Sequence, residues 1–146
     1  MEKALEIAKM SQDLGEVPVG AVLVNPMGVL LAASGNRVMQ EHDPAAHAEI
    51  IVLRDAARKL QTPRLEGCHL YVTLEPCPMC AQAISFARIK QLYFGAWDMK
   101  GGGIDHGPQI FNQPTCHHKP QFFGGILAEP SQLLLENFFK GRRTSS

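Results

Sequence analysis

Two short segments constrain this chain more than anything else in it: His47-Ala48-Glu49 and Pro76-Cys77-Pro78-Met79-Cys80. The 26 residues from 50 to 75 separate them. Together they offer one imidazole, two thiolates and one further carboxylate. His47, Cys77 and Cys80 are the residue types that bind zinc, and a site with only three protein ligands keeps its fourth position open for water. Such a site is catalytic rather than structural, so the fold must bring residue 47 and residues 77–80 to one point. A redox pair formed by Cys77 and Cys80 alone is the competing reading of the C-x-x-C spacing. It leaves His47 and Glu49 without a purpose.

The flanking patterns show how such a meeting is arranged. Residues 2–14 carry Ala4, Leu5 and Ala8 at helical spacing, and Gly15 ends that helix. Val19 to Val24 is an apolar run of strand length, Asn25-Pro26-Met27-Gly28 is a turn, and Val29 to Ala33 returns, which makes a hairpin. Asp43-Pro44 predicts a helix start, with Ile50, Leu53, Ala57 and Leu60 following the helical period. Gly67 precedes the strand Leu70 to Leu74, and Pro78 to Ala87 reads as a second core helix. Gln91 to Phe94 is another strand, Gln121 to Phe123 a short last one, and Glu129-Pro130 opens a final helix to about Lys140. Strands alternating with helices predict parallel pairing through right-handed crossovers. Hairpin and crossovers together give a mixed sheet with helices on both faces.

A chain of 146 residues with 45% hydrophobic and 19% charged residues is long enough to bury a real core as one domain. No apolar run approaches the ~18 residues of a membrane span. Met1-Glu2-Lys3-Ala4 opens an amphipathic pattern rather than a signal peptide, so a cytoplasmic enzyme is expected. Four cysteines, two of them in the C-x-x-C pair, do not make a disulfide scaffold. Lys plus Arg is 14 and Asp plus Glu is 14, so a polyanion would have to be met by a local patch. Lys140, Arg142 and Arg143 form the one dense basic cluster.

Position adds chemistry to residue type. His47 and Glu49 fall in the first turns of one predicted helix, Cys77 and Cys80 at the start of another. Two positive helix ends then face the metal, favouring thiolate over thiol. Glu49, two residues beyond His47, points elsewhere on its helix. It can reach a bound water and a leaving group without being a ligand, which is the position a proton carrier needs.

His-x-Glu followed by Pro-Cys-x-x-Cys is the signature of zinc-dependent nucleobase deaminases. The sequence resembles the bacterial tRNA-specific adenosine deaminases over nearly its whole length. The likeness includes Glu16 to Val24, Gly35-Asn36-Arg37, His42-Asp43-Pro44, Ala46 to Ile50, Leu70 to Cys77, Phe94-Gly95-Ala96, Gly125 to Ala128 and Phe138 to Arg143. The resemblance implies an α/β, cytidine-deaminase-like three-layer fold with a mixed five-stranded sheet, residues 1–146 forming a single deaminase domain. It implies one Zn2+ per chain on His47, Cys77 and Cys80, with Glu49 as proton shuttle. It further implies that Asn36 and the Ala48 backbone N–H place the flipped nucleoside. By the same resemblance Asp98, Lys100, Phe138, Phe139, Arg142 and Arg143 would meet the anticodon loop of a tRNA, an arginine tRNA by expectation, and the unit would be a homodimer.

The chain departs from the common family pattern at Cys116-His117-His118 and at Glu129-Pro130-Ser131, which bears on RNA contacts and not on zinc chemistry. A second metal site joining Cys116, His117 and His118 to Cys68 is disfavoured, because adjacent residues rarely ligate one ion. Cys68 reads as a buried strand thiol. Gly101-Gly102-Gly103 is followed by no Lys-Ser/Thr and is no phosphate loop; it is expected to lend its loop mobility.

Three functions fit these residues. The first is hydrolytic deamination of a wobble adenosine to inosine, in a loop whose bases are already unpaired. The second is deamination of a free base or nucleoside such as cytosine, cytidine or guanine, whose zinc site could look identical. The third is a zinc-stabilised, non-catalytic module, against which the intact Glu49 argues.

Overall fold

The computed structural model describes the backbone of residues 1–145 and the side chains of residues 1–142. Its elements are α1 (Glu2–Asp13), β1 (Gly20–Val24), β2 (Leu30–Gly35), α2 (Ala48–Leu60), β3 (His69–Leu74), α3 (Pro78–Phe86), β4 (Gln91–Ala96), a 3-10 turn (Ile110–Asn112), β5 (Gln121–Phe123) and α4 (Ala128–Ser145). The five strands form one mixed sheet in the order β2-β1-β3-β4-β5.

The β1–β2 hairpin closes through Asn25, whose Oδ1 accepts the N–H groups of Met27 and Val29, both at 2.9 Å. That closure puts β2 on the outer edge and leaves the other side of β1 open. β3 pairs there, antiparallel. The sequence-based expectation of parallel neighbours therefore holds for β3–β4 and β4–β5 and fails for the first crossover. β2 and β3 run the same way but lie on either side of β1. Strand pairing is a choice between distant partners, which local periodicity does not encode.

α1 packs against β1, β2, β3 and α4, and α4 against β3 and β4, on one face of the sheet. α2 packs on β1 and β2 and against α3 on the other. Between the sheet and this second layer lies the main core, where Leu70 pairs in register with Leu92 and Val72 with Phe94. All four side chains are fully buried, each stabilising by about 1.5–3 kcal/mol relative to exposure.

This topology positions the site. β2 and β3 share a direction, so the helices that follow them, α2 and α3, both begin at the sheet edge where these strands end. Ligand sites in open α/β sheets lie at that edge. α2 starts at Ala48, five residues after the predicted cap. Asp43 instead builds a turn: its Oδ1 accepts the Ala45 N–H at 2.9 Å and its carbonyl the Ala46 N–H at 3.1 Å. Leu60 closes α2, as the helical period predicts, and is exposed at its last turn. α4 starts one residue earlier than expected and runs to Ser145.

Candidate active site and metal centre

His47 and Cys77 each occupy the N-cap of a helix, α2 and α3 respectively, both in extended backbone conformation. Cys80 lies in the first turn of α3 and is fully buried. His47 Nδ1 lies 3.5 Å from Cys77 Sγ and 3.4 Å from Cys80 Sγ. The three donor atoms all fall within 4.8 Å of one another, the only such group among the described residues. Zinc bonds of ~2.3 Å to sulfur and ~2.0–2.1 Å to nitrogen, at a tetrahedral angle, set N···S at about 3.6 Å. The donors are thus spaced, as well as chosen, for zinc.

The protonation of the cluster follows from its crowding. The Cys77 thiol is pulled down to about 4, first by the Cys80 thiol donating to it and then by His47, against the opposing effect of burial. Cys80 is pushed up, by that same hydrogen bond and by burial. His47 is raised by its contact with the Cys77 sulfur. Glu49 sits in the first turn of α2 and is 4% exposed. Burial raises its carboxyl to about 7, with the Cys77 charge adding to the rise. A buried carboxyl near neutral pKa beside a metal-ligand cluster has the properties of a general acid and base.

Asn36 and Ala48 are brought together, though not as two independent substrate contacts. The Ala48 N–H donates to Asn36 Oδ1 at 2.8 Å. Asn36 Nδ2 has only a long contact, 3.4 Å, to the Val17 carbonyl. A base contact from this pair therefore falls to Nδ2, and the expectation that the Ala48 N–H itself meets the base does not describe this arrangement.

Asp98 serves its own turn, Oδ1 accepting from Lys100 N–H at 3.2 Å and Gly101 N–H at 2.9 Å, while Lys100 is exposed. Phe138 departs from its predicted role: it is 9% exposed, packed edge-on against Phe139, with the Arg142 guanidinium carbon 5.2 Å from its ring centre. Phe139, 45% exposed, is the more accessible of the two rings. The Arg143 side chain lies outside the described residues. α4, which carries these residues, packs on the face opposite α2 and α3.

Sequence reasoning missed two buried carboxylates. Glu75, just ahead of Pro76-Cys77, and Glu16 are each almost fully buried. Burial pushes both carboxyls up, but hydrogen bonds outweigh it and hold each below the usual range. For Glu16 the donors are the backbone and side chain of Gln40 and the backbone of Met39 and Val38; for Glu75 they are the Asp98, Ile104 and His106 backbones and the His106 ring. The Gly101–Gly103 reading is also corrected. A Cβ on Gly102 would lie 2.5 Å from Glu75 Cδ, and one on Gly103 2.6 Å from the Pro78 nitrogen. These glycines permit close packing of the loop against Glu75 and α3, not mobility.

A family model described as the cytidine and deoxycytidylate deaminase zinc-binding region matches residues 1–96. The chain belongs to this zinc-dependent deaminase family. Within it, the deaminase is 51% identical over 143 residues to the tRNA-specific adenosine deaminase of Agrobacterium fabrum, covering 98% of this chain and 93% of that one. It is 41% identical to the tRNA-specific adenosine deaminase of Bacillus subtilis, over 98% of this chain and 88% of that one. These relatives put it among the tRNA-specific adenosine deaminases. A solved structure from studies of A-to-I editing by tRNA:A34 deaminases superimposes with a TM-score of 0.90 at 52% identity, covering 92% of this chain and 97% of that one. The likeness to the guanine deaminase of Bacillus subtilis is lower, with a TM-score of 0.64 at 29% identity over 97% of this chain and 90% of that one.

Proposed function

We propose that this deaminase converts the wobble adenosine of a tRNA anticodon loop to inosine, releasing ammonia, and that residues 1–146 act as one deaminase domain. The observation that carries the reading is the near-complete superposition on a tRNA:A34 deaminase at 52% identity.

His47, Cys77 and Cys80 would hold one zinc ion. Zinc bound by three ligands lowers the pKa of a water in its open position to about 7, supplying a nucleophile at neutral pH. Glu49 moves the protons. Its carboxylate takes one from the attacking water and passes it to the adenine ring nitrogen; it then takes the proton of the new C6 hydroxyl and passes it to the departing amine. The C6–N bond breaks, and water and adenosine become inosine and ammonia. A carboxyl held near 7 suits both halves of this relay. Asn36 Nδ2 orients the base, while Asn36 Oδ1 secures the start of α2.

Lys100, Phe139, Arg142 and Arg143 would meet the anticodon loop, with an arginine tRNA as the expected substrate. We further infer a cytoplasmic homodimer. No helix among the described residues is long and apolar enough to cross a membrane. Met79 and Phe86, seven residues apart on α3, are both exposed apolar side chains, as a self-association face requires.

The test is inosine formation by the purified protein on an arginine tRNA with adenosine at the wobble position. Free adenosine, cytidine, cytosine and guanine run alongside. Inosine at that one position, absent with Glu49→Ala at unchanged zinc content, is the expected result. Ammonia from guanine or another free base, with no inosine in tRNA, would replace this reading with that of a free-base deaminase.

A further inference from the structure

Two loops flank the metal-ligand cluster. One spans residues 36–47 and ends in His47. The other spans residues 97–107 and is tied to the Cys77 segment by the Gly103 N–H donating to the Pro76 carbonyl at 2.8 Å. Each loop is wound around a buried carboxylate with no part in the chemistry above. Glu16 is 1% exposed and accepts the Met39 N–H on both oxygens at 3.1 Å, the Gln40 N–H at 2.9 Å and Gln40 Nε2 at 3.2 Å. Glu75 Oε1 accepts the Asp98 N–H at 3.0 Å and faces His106 Nδ1 at 2.8 Å. Its Oε2 accepts the backbone N–H groups of Ile104, Asp105 and His106 at 3.1, 2.9 and 3.1 Å.

We propose that Glu16 and Glu75 are positioning residues: buried anions that gather the backbone N–H groups of the two flanking loops and so preset the RNA-facing rim of the active site. The loops' own turn bonds, such as Asp43 N–H to the Val38 carbonyl and Gly102 N–H to the Asp98 carbonyl, leave the N–H groups of Met39, Gln40, Asp98, Ile104, Asp105 and His106 to these two carboxylates. Residues 36–47 and 97–107 carry no strand or α-helix, and inward-pointing N–H groups need acceptors. Neither carboxylate's hydrogen bonds reach His47, Glu49, Cys77 or Cys80. What the cages hold in place is the outer side of each loop. Met39 on the first loop and Trp97 and Met99 on the second are large apolar side chains left exposed. Trp97 is pinned as well, its Nε1–H donating to Asp105 Oδ2 at 2.9 Å. Exposed rings and thioethers on a fixed backbone are what splayed, unpaired bases pack against. A rim ordered in advance avoids the entropy of ordering it on binding.

This inference rests on the anticodon-loop reading. Glu75→Gln is the sharpest test. Both oxygens of Glu75 already accept from at least two donors, so either orientation of the amide turns an NH2 group against N–H groups. The zinc-loaded full-length protein is assayed on a tRNA anticodon stem-loop, with zinc content and amide hydrogen exchange measured on the same samples. Glu75→Gln should keep one zinc per chain and kcat within about 3-fold, while KM rises about 10-fold or more. Exchange should quicken at residues 98 and 104–106 and stay unchanged in β3 and β4. Glu16→Gln should show the same kinetic split with faster exchange at residues 39–40, and it keeps the test open should the first variant misfold. An unchanged KM in both variants overturns the proposal, as does a loss of kcat and zinc at constant KM. A wild-type protein that makes no inosine fails the anticodon-loop reading and this inference with it. Normal wild-type turnover beside unchanged variants defeats this inference alone.

Discussion

A methyl group added at Gly103 probes the packing of the active-site loop against the metal-binding helix. Its carbon would stand 2.6 Å from the Pro78 nitrogen, 2.8 Å from Pro78 Cα and 2.9 Å from the Cys77 carbonyl carbon, where ordinary contact begins at 3.4 Å. All three neighbours are backbone, so no side chain can rotate away, and something must move by about 0.8 Å (3.4 less 2.6). If the loop retreats, two hydrogen bonds of 2.8 Å are strained, Gly103 N–H to Pro76 O and Ile110 N–H to Gly103 O. If the helix start retreats, Cys77 leaves its partners. Overpacking costs about 1–3 kcal/mol and each weakened hydrogen bond up to about 1 kcal/mol, so Gly103→Ala should destabilise by roughly 2–4 kcal/mol. At ~2–4 °C per kcal/mol for a domain near this size, Tm should fall by roughly 4–16 °C. Thermal and urea unfolding of the zinc-loaded protein measure this. Gly141→Ala is the internal contrast: the same methyl, in α4, would meet nothing within 4 Å beyond its own helix backbone and chain neighbours and should stabilise by about 0.5–1 kcal/mol. If Gly103→Ala unfolds at the wild-type midpoint with full zinc, the close approach argued here is wrong.

Glu49→Gln should retain zinc and lose roughly 10²–10⁴-fold in kcat, the usual contribution of a positioned proton carrier; activity within tenfold of wild type would remove Glu49 from the mechanism. Glu16 is held below its unfolded value of about 4.3, so the stability it contributes is present above that pH and is lost as pH falls toward the lower folded value. Urea midpoints between about pH 5 and pH 3 should therefore fall more steeply for wild type than for Glu16→Gln, and parallel curves would contradict the assignment. Phe138→Ala should cost about 3 kcal/mol of stability, whereas Phe139→Ala should leave stability within about 0.5 kcal/mol and raise KM for tRNA; the opposite pattern would exchange their roles.

The convergence of His47, Cys77 and Cys80 was legible because metal ligation restricts residue type and spacing at once. The hairpin was legible because Asn25 and Gly28 close it by local chemistry alone. What escaped the sequence is non-local. Asp43-Pro44 has the composition of a helix start, but its cap chemistry also builds the turn observed there, and only tertiary structure separates the two. Phe138 and Phe139 are indistinguishable until α1 and the sheet fix which side of α4 is inside. Gly102 and Gly103 carry the same letters whether a loop is loose or pressed against a neighbour. Glu16 and Glu75 look like surface carboxylates because their partners are backbone amides far away in sequence, 23 to 31 residues on.

The N-termini of α2 and α3 explain how two caps can be given to a metal. Caps are usually Ser, Thr, Asp or Asn, and replacing such a cap costs about 1 kcal/mol. His47 and Cys77 hold these positions with no side-chain cap bond. Each helix compensates differently. Pro78 at the first position of α3 has no N–H to satisfy. α2 is capped from a distance, its Ala48 N–H taken by Asn36 Oδ1 at 2.8 Å. Asn36 therefore has two separable duties, capping through oxygen and base contact through nitrogen. Asn36→Ala should lose both: about 1 kcal/mol of stability without substrate, and a raised KM with it. Asn36→Asp keeps the acceptor and places a negative charge at a helix N-terminus, so stability should stay near wild type while the donor to the base is gone. Urea unfolding and tRNA kinetics on the two variants separate the duties. If Asn36→Ala unfolds like wild type, the oxygen is not a cap; if Asn36→Asp keeps the wild-type KM, the nitrogen does not meet the base.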